Sequence, residues 1–248
     1  MTEVSEKKKS SAIGETIRTV FWAVLIALVV RTFLFEPFSI PSGSMIPTLL
    51  VGDYLFVSKY SYGYSRYSFP GSLDLFDGRL LGGEPERGDI AVFRKPTHDS
   101  DDYIKRIVGL PGDTLQVRGG VLYINGDAVP REYIGDYVDP QGVRAPAKLY
   151  RETLPSGVSY TVLDYGVNQY LDDTLIYVVP EGHYFAMGDN RDNSTDSRVL
   201  SEVGYIPAAN LVGRAEFLFF SIEEPRSWRE VWRLPFAIRY GRLFKGLG

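Results

Sequence analysis

The chain has 248 residues, 44% of them apolar and 23% charged, which is enough for one large domain or two small ones with an ample core. Its net charge of -4 argues against bulk nucleic-acid binding, which requires a basic surface. There is no cysteine, which excludes thiol catalysis, zinc–thiolate sites and disulfides, and His98 and His183 are the only histidines.

Residues 1–16 form a polar tail that carries Lys7, Lys8 and Lys9, and an apolar run follows from Ile17 to Phe35. Its uncharged part, Thr19 to Val30, is shorter than the roughly 20 helical residues needed to cross a hydrocarbon core. Residues 17–35 reach about 28 Å at roughly 1.5 Å per residue, so a span requires Arg18 and Arg31 near the two surfaces, with the guanidinium drawn to the headgroups. A buried core helix is one alternative. A cleaved signal peptide is another, disfavoured because Phe35-Glu36-Pro37-Phe38 lacks a small-residue exit. The pattern predicts an uncleaved signal-anchor helix over 17–35, ended by Pro37, with the lysines keeping the amino terminus cytoplasmic. The chain from about Glu36 onward would then face the outer side of the cytoplasmic membrane.

Just beyond lies Pro41-Ser42-Gly43-Ser44-Met45-Ile46-Pro47, two serines around a glycine, framed by prolines that fix φ. Such a stretch is an ordinary turn or a rigid hydroxyl cluster held close to a bilayer. Strand-like runs follow at 53–60, 89–94, 103–108, 114–117, 121–124, 175–179, 183–187 and 215–220, rich in aromatic and β-branched residues. Gly119-Gly120 and Asn125-Gly126 are hairpin signals. Short strands with frequent Gly and Pro predict an all-β body. Arg66 to Gly83 reads as a long surface loop and 126–173 as a small inserted β subdomain. The predicted organisation is a β core over 36–125 and 174–225, interrupted by that insert, and a carboxyl-terminal segment over 226–248. That segment mixes Trp228, Trp232, Phe236, Tyr240 and Phe244 with Arg229, Arg233, Arg239 and Arg242, which fits a membrane interface or a packed terminal helix equally well.

A serine nucleophile needs a base, and His98 and His183 both sit in polar turns. Lys105 is the odd residue, lying inside the strand-like run Tyr103-Ile104-Lys105-Arg106-Ile107-Val108, where alternation puts it on one face with Tyr103 and Ile107. An isolated lysine would be neutral in only about one molecule in 2,500 at pH 7, whereas burial that lowers its pKa to about 8, at roughly 3 kcal/mol, makes about one in ten a competent base. A surface lysine alternating out of the strand is the competing reading. The segment Gly188 to Arg198, dense in hydrogen-bonding side chains, fails as a calcium loop because it lacks the central glycine and a bidentate closing residue. It remains a solvated turn or a support for a buried amine.

Taken in order, Pro41-Ser42-Gly43-Ser44-Met45, Gly52-Asp53, Arg87 to Phe93, Tyr103 to Asp113 and Gly188 to Arg198 resemble the bacterial type I signal peptidases, the leader peptidase family of serine proteases. The resemblance implies a mainly β, antiparallel signal-peptidase fold behind a transmembrane helix. It implies Ser44 as nucleophile, Lys105 as general base, and the Ser42 hydroxyl with the Ser44 N–H as oxyanion hole. Ser194 would hydrogen-bond the lysine, and the pairs Asp189–Arg106 and Asp196–Arg198 would be salt-bridged supports. Met45 would shield the base from water, and Ile40, Leu49, Tyr103 and Ile104 would shape shallow apolar pockets. The implied partners are preprotein signal peptides, the lipid bilayer and, indirectly, the protein export machinery, with no metal, organic cofactor or nucleic acid. A Ser–Lys self-cleaving repressor should carry a basic helix-turn-helix. A penicillin-binding enzyme should show Ser-x-x-Lys on a helix, a spacing present only at Ser5 to Lys8. A non-catalytic tethered β module would tolerate loss of Ser44.

Overall fold

The computed structural model describes residues 3–69, 78–98, 101–139, 145–223 and 237–247, with side chains from residue 14. The chain begins as one helix, α1 (Glu3–Phe33), whose stretch Gly14–Phe33 is long and apolar enough to cross a membrane. Phe21, Trp22 and Ile26 on it are all more than half exposed, so the helix is not a core element, and only an apolar surrounding would cover it. It stops before Pro37: Leu34 N–H donates to Val30 O at 2.8 Å, and Pro37 lies inside β1 (Phe35–Ser39). The residue before a proline avoids helical geometry, and an edge strand tolerates the missing N–H.

Three antiparallel sheets follow. The largest has the order β1, β2 (Asp53–Ser58), β14 (Leu211–Ser221), β3 (Ile90–Arg94), β4 (Asp102–Gly109), β12 (His183–Met187) and β13 (Ile206–Pro207). A four-stranded sheet joins β11 (Tyr177–Val178), β5 (Thr114–Arg118), β6 (Val121–Ile124) and β7 (Asp127–Ala128). The third pairs β10 (Ser159–Asp164) with β9 (Ala147–Thr153) and β9 with β8 (Arg131–Tyr137). Both hairpin signals form turns: Gly119, Gly120, Asn125 and Gly126 all take positive φ, as tight two-residue hairpins demand.

Each predicted strand is present, although the run 175–179 shrinks to Tyr177–Val178 and 215–220 lengthens to Leu211–Ser221. The expected β insert is present as β7 to β10, whose individual strands were not placed, and β1 and β13 were not foreseen; β8 is half-buried or exposed throughout, so it lacks an apolar signature. The loop expected from Arg66 to Gly83 is partly interior. Tyr67 and Ser68 are buried, and the Arg79 guanidinium donates to the carbonyls of Tyr62, Gly63, Ala208 and Leu211. Trp228, Arg229, Trp232, Arg233 and Phe236 lie outside the described residues. Residues 237–247 run beside the end of β14, with bridges Ile222–Ile238 and Phe217–Gly246, rather than forming a terminal helix.

One apolar cluster fixes the large sheet beneath the serine turn and includes Ile40, Met45, Leu49, Leu55 and Val92. Another, with Leu115, Leu122, Val162 and Phe185, joins the four-stranded sheet to β10 and β12.

Candidate active site

Ser44 sits in the connection between β1 and β2, and Lys105 at the middle of β4. Prolines and a glycine make that connection a compact turn, in which Leu49 N–H donates to Met45 O at 2.9 Å. Cross-strand pairing of Ala91 with Lys105 fixes where the lysine leaves the sheet. The two side chains, 61 residues apart in sequence, meet with Lys105 Nζ 2.8 Å from Ser44 Oγ. Lys105 Nζ also donates to Ile104 O at 3.0 Å and lies 5.1 Å from the centre of the Tyr103 ring. Only 4% of Lys105 is exposed, and this burial pushes its amine down to about 8, against the opposing pull of Asp196 and Asp189. Ser42 Oγ is 3.4 Å from Ser44 Oγ.

A cleft of about 370 Å³ opens over these groups. Ile40, Tyr103 and Ile104 line it as expected, together with Phe38, Ser39 and Asp102 on its strand walls and Asn193 and Thr195 on its far side. Met45 and Leu49 do not line it. They lie one helical turn apart in the serine turn and therefore face the same way, into the core under the cleft, where they are 1% and 0% exposed. His183 Nδ1 lies 2.9 Å from Glu181 O, and neither histidine lines the cleft.

The loop after β12 carries the supports. Arg106 Nε and Nη2 donate to the two oxygens of Asp189 at 2.9 and 2.7 Å, and its Nη1 donates to Gly88 O at 2.8 Å. Thr48 Oγ1 donates to Asp189 Oδ2 at 2.5 Å, tying the far end of the serine turn to the same carboxylate. Arg198 grips Asp196 in the same two-pronged manner, at 2.9 and 2.8 Å, and Gly188 N–H adds a third donor at 3.0 Å. Burial would raise the Asp196 carboxyl, but Arg198 and these donors hold it below the usual carboxylate range. Ser194 departs from expectation. The bond to Lys105 is not made: the amine reaches Ser44 and Ile104, and the buried Ser194 hydroxyl instead helps to hold the Asp196 carboxyl low.

Several functional contacts were missed from the sequence. Buried Asn190 holds the carbonyls of both Gly43 and Ser44. Arg191 Nη1 donates to Glu152 Oε1 at 2.8 Å, Tyr160 OH donates to Glu152 Oε2 at 3.0 Å, and the Arg106 guanidinium stacks 4.2 Å from the Tyr160 ring centre. This network fastens the three-stranded sheet to the loop after β12. Asp53, fully buried, accepts from Ser221 Oγ at 2.6 Å and from Arg242, whose Nη2 also donates to Thr48 O at 2.9 Å. The carboxyl-terminal segment thereby braces the serine turn. The only prior signals were the charges themselves, whose partners lie far away in sequence.

A family model described as signal peptidase, peptidase S26, matches residues 13–220. The chain is 43% identical to signal peptidase I of Rickettsia typhi, covering 97% of this chain and 96% of that one. It is 45% identical to signal peptidase I of Rickettsia prowazekii, covering 91% and 90%. A crystal structure of a signal peptidase I from Enterococcus faecalis V583 aligns at 27% identity and a TM-score of 0.31, over 53% of this chain and 97% of that one. With a match that runs from α1 into β14 and carries the serine turn, the β4 lysine and the loop after β12, this chain belongs to the signal peptidase, peptidase S26, family.

Proposed function

We propose that this chain is a membrane-anchored serine endopeptidase that removes amino-terminal signal peptides from exported preproteins, with Ser44 as nucleophile and Lys105 as general base. The observation that carries the reading is the 2.8 Å approach of a buried, partner-poor amine to a serine hydroxyl. In its neutral form Lys105 accepts the Ser44 proton as Oγ attacks the scissile carbonyl. The tetrahedral oxyanion is held by the Ser42 hydroxyl and the Ser44 N–H, where one donor is typically worth about 3 to 4 kcal/mol of the barrier. Lys105 then protonates the departing amine, and a water deprotonated the same way releases the acyl-enzyme.

The cleft walls, 38–42 on one side and 102–105 on the other, offer backbone edges to an extended substrate strand. Ile40 and Ile104 between them suit small side chains before the cut. Tethering enzyme and signal peptide to one bilayer raises their effective concentration. The half-buried rings of Phe35 on β1, Phe56 on β2 and Phe219 on β14, the first pair edge to face and the second tilted, lie in the sheet that begins where α1 ends and support a body seated at the membrane surface. The amino terminus would be cytoplasmic and the catalytic body on the outer face of a bacterial inner membrane, receiving substrates from the export machinery. The test is incubation of purified enzyme with a preprotein and mapping of the cut by mass spectrometry. A single cut after the signal peptide, lost in Ser44→Ala, is expected; cutting that persists in Ser44→Ala ends the reading.

A further inference from the structure

The turn that carries Ser44 is gripped from the protein side by Asn190, which is 0% exposed. The Asn190 backbone N–H donates to Ser44 O at 3.0 Å, and its side-chain Nδ2 donates to Gly43 O at 2.9 Å. Gly43 O and Ser44 N–H belong to one peptide unit. That unit is planar and trans, so its C=O and N–H point in opposite directions. Drawing Gly43 O toward a buried amide therefore turns the Ser44 N–H the other way, toward the cleft that Ser42, Gly43 and Ser44 line.

We propose that Asn190 is a positioning residue that aims the Ser44 N–H and thereby sets the strength of the oxyanion hole, a role that rests on the Ser44–Lys105 reading above. The amide can face only one way, since reversal would set Oδ1 against the Gly43 carbonyl, acceptor against acceptor. Asn190 Oδ1 is buried without a partner, a desolvation cost that a leucine of similar size would avoid. Loop stability alone therefore does not account for an amide at this position. The grip is itself held firm: Leu163 on β10 forms a parallel bridge with Asn190, and Leu163 N–H donates to Asp189 O at 2.8 Å.

The test compares full-length wild type, Asn190→Leu and Asn190→Ala in detergent, using a preprotein substrate and a peptide aldehyde. The aldehyde carbon bonds to Ser44 Oγ, the carbonyl π pair moves onto oxygen as an oxyanion, and the serine proton passes to Lys105. Wild type left unmodified at Ser44 would sink the underlying reading and is seen before any variant is compared. With Ser44 modified, the variants are expected to lose ~10- to 100-fold in kcat and a similar factor in aldehyde affinity. KM should stay within about twofold, because the cleft walls are untouched. The acid limb of the rate profile should stay near 8, because Lys105 keeps its surroundings. A merely structural role would lower the thermal midpoint without this split. Wild-type kcat in either folded variant, a loss carried by KM, or unchanged aldehyde affinity overturns the inference. Asn190→Ala adds no bulk and carries the comparison should Asn190→Leu not fold.

Discussion

Lys105 and Arg106 are neighbours in β4 whose charges the structure treats in opposite ways. Burial penalises both cations, but Arg106 is paired through two hydrogen bonds with Asp189, and its guanidinium is held above its ordinary value. Among the described residues no carboxylate pairs with Lys105; Asp196 and Asp189 act on it only through space, and burial wins, leaving the amine at about 8. The period of two along a strand sends adjacent side chains to opposite faces, so a permanent cation and a titratable one can be built side by side.

The rate profile should report that amine. Below about pH 8 the neutral fraction of Lys105 falls tenfold per pH unit, so kcat/KM should fall with it and level off above. Assays from pH 5 to 10 check this, and a limb near 4 would indicate a carboxylate base. Lys105→Arg should not rescue activity, because arginine stays charged, and the loss should be about 10²- to 10⁴-fold.

The same shift sets a stability gradient. The folded amine titrates near 8 and the unfolded one near 10.5, so between those values the unfolded chain holds the extra proton. Stability therefore rises with pH through that window, and below about 8 a burden of roughly 3 kcal/mol is present in full. Lys105→Met should accordingly be more stable than wild type at pH 7, by about 1 to 3 kcal/mol after its lost hydrogen bonds, with the difference closing towards pH 10. Urea unfolding of both proteins at pH 7 and 10 measures it; a difference that is the same at both values refutes it.

Legibility followed locality. The serine turn and β4 could be read because prolines, β-branched residues and aromatics declare their backbone geometry over a few positions. Tyr103, Lys105 and Ile107 could be set on one face from alternation alone. Arg106–Asp189 and Asp196–Arg198 came from resemblance, since no spacing rule pairs residues 83 apart, as the first two are. Thr48 finds Asp189 across 141 residues, and Arg191 finds Glu152 across 39. Such partners are chosen by tertiary packing, and a polar side chain in a mixed segment gives no sign of which it will be. Leu49 was expected to shape a pocket and Met45 to cover the base at the cleft, although the turn's one-turn spacing sends both to the core. The insert was expected to be β, but the bounds of β8 to β10 could not be read because a sheet half open to solvent has little apolar alternation.

The Glu152–Arg191 pair should couple the three-stranded sheet to catalysis. Glu152 and Arg191 are 0% and 5% exposed, so removing one partner leaves the other's charge uncompensated. Glu152→Gln should cost about 3 to 5 kcal/mol of unfolding free energy. Arg191 precedes the Ser194–Arg198 stretch, and its carbonyl accepts from Arg198, so a loosened Arg191 also frees the Asp196 clamp. Activity should therefore fall at temperatures well below the unfolding midpoint. Denaturant titration together with assays at 15 °C below that midpoint separates the two effects, and a variant of wild-type stability would refute the first.

Gly188 offers the sharpest steric test. A Cβ built there would stand 2.2 Å from Ser194 Oγ and 2.5 Å from both Ser194 Cβ and Ser44 O. Side chains can swing away, but Ser44 O is backbone, and it is held by the Asn190 N–H at 3.0 Å. Relief in Gly188→Ala must move either the loop after β12 or the serine turn itself, and either shift separates Ser44 Oγ from Lys105 Nζ. A displacement of about 1 Å at a reacting pair can cost on the order of 100-fold in rate. Gly188→Ala should thus lose activity by that order, while the strands on either side, fixed by their own ladders, keep the secondary structure intact by circular dichroism. Wild-type kcat/KM in Gly188→Ala would mean that the loop does not press on the serine turn in the working enzyme.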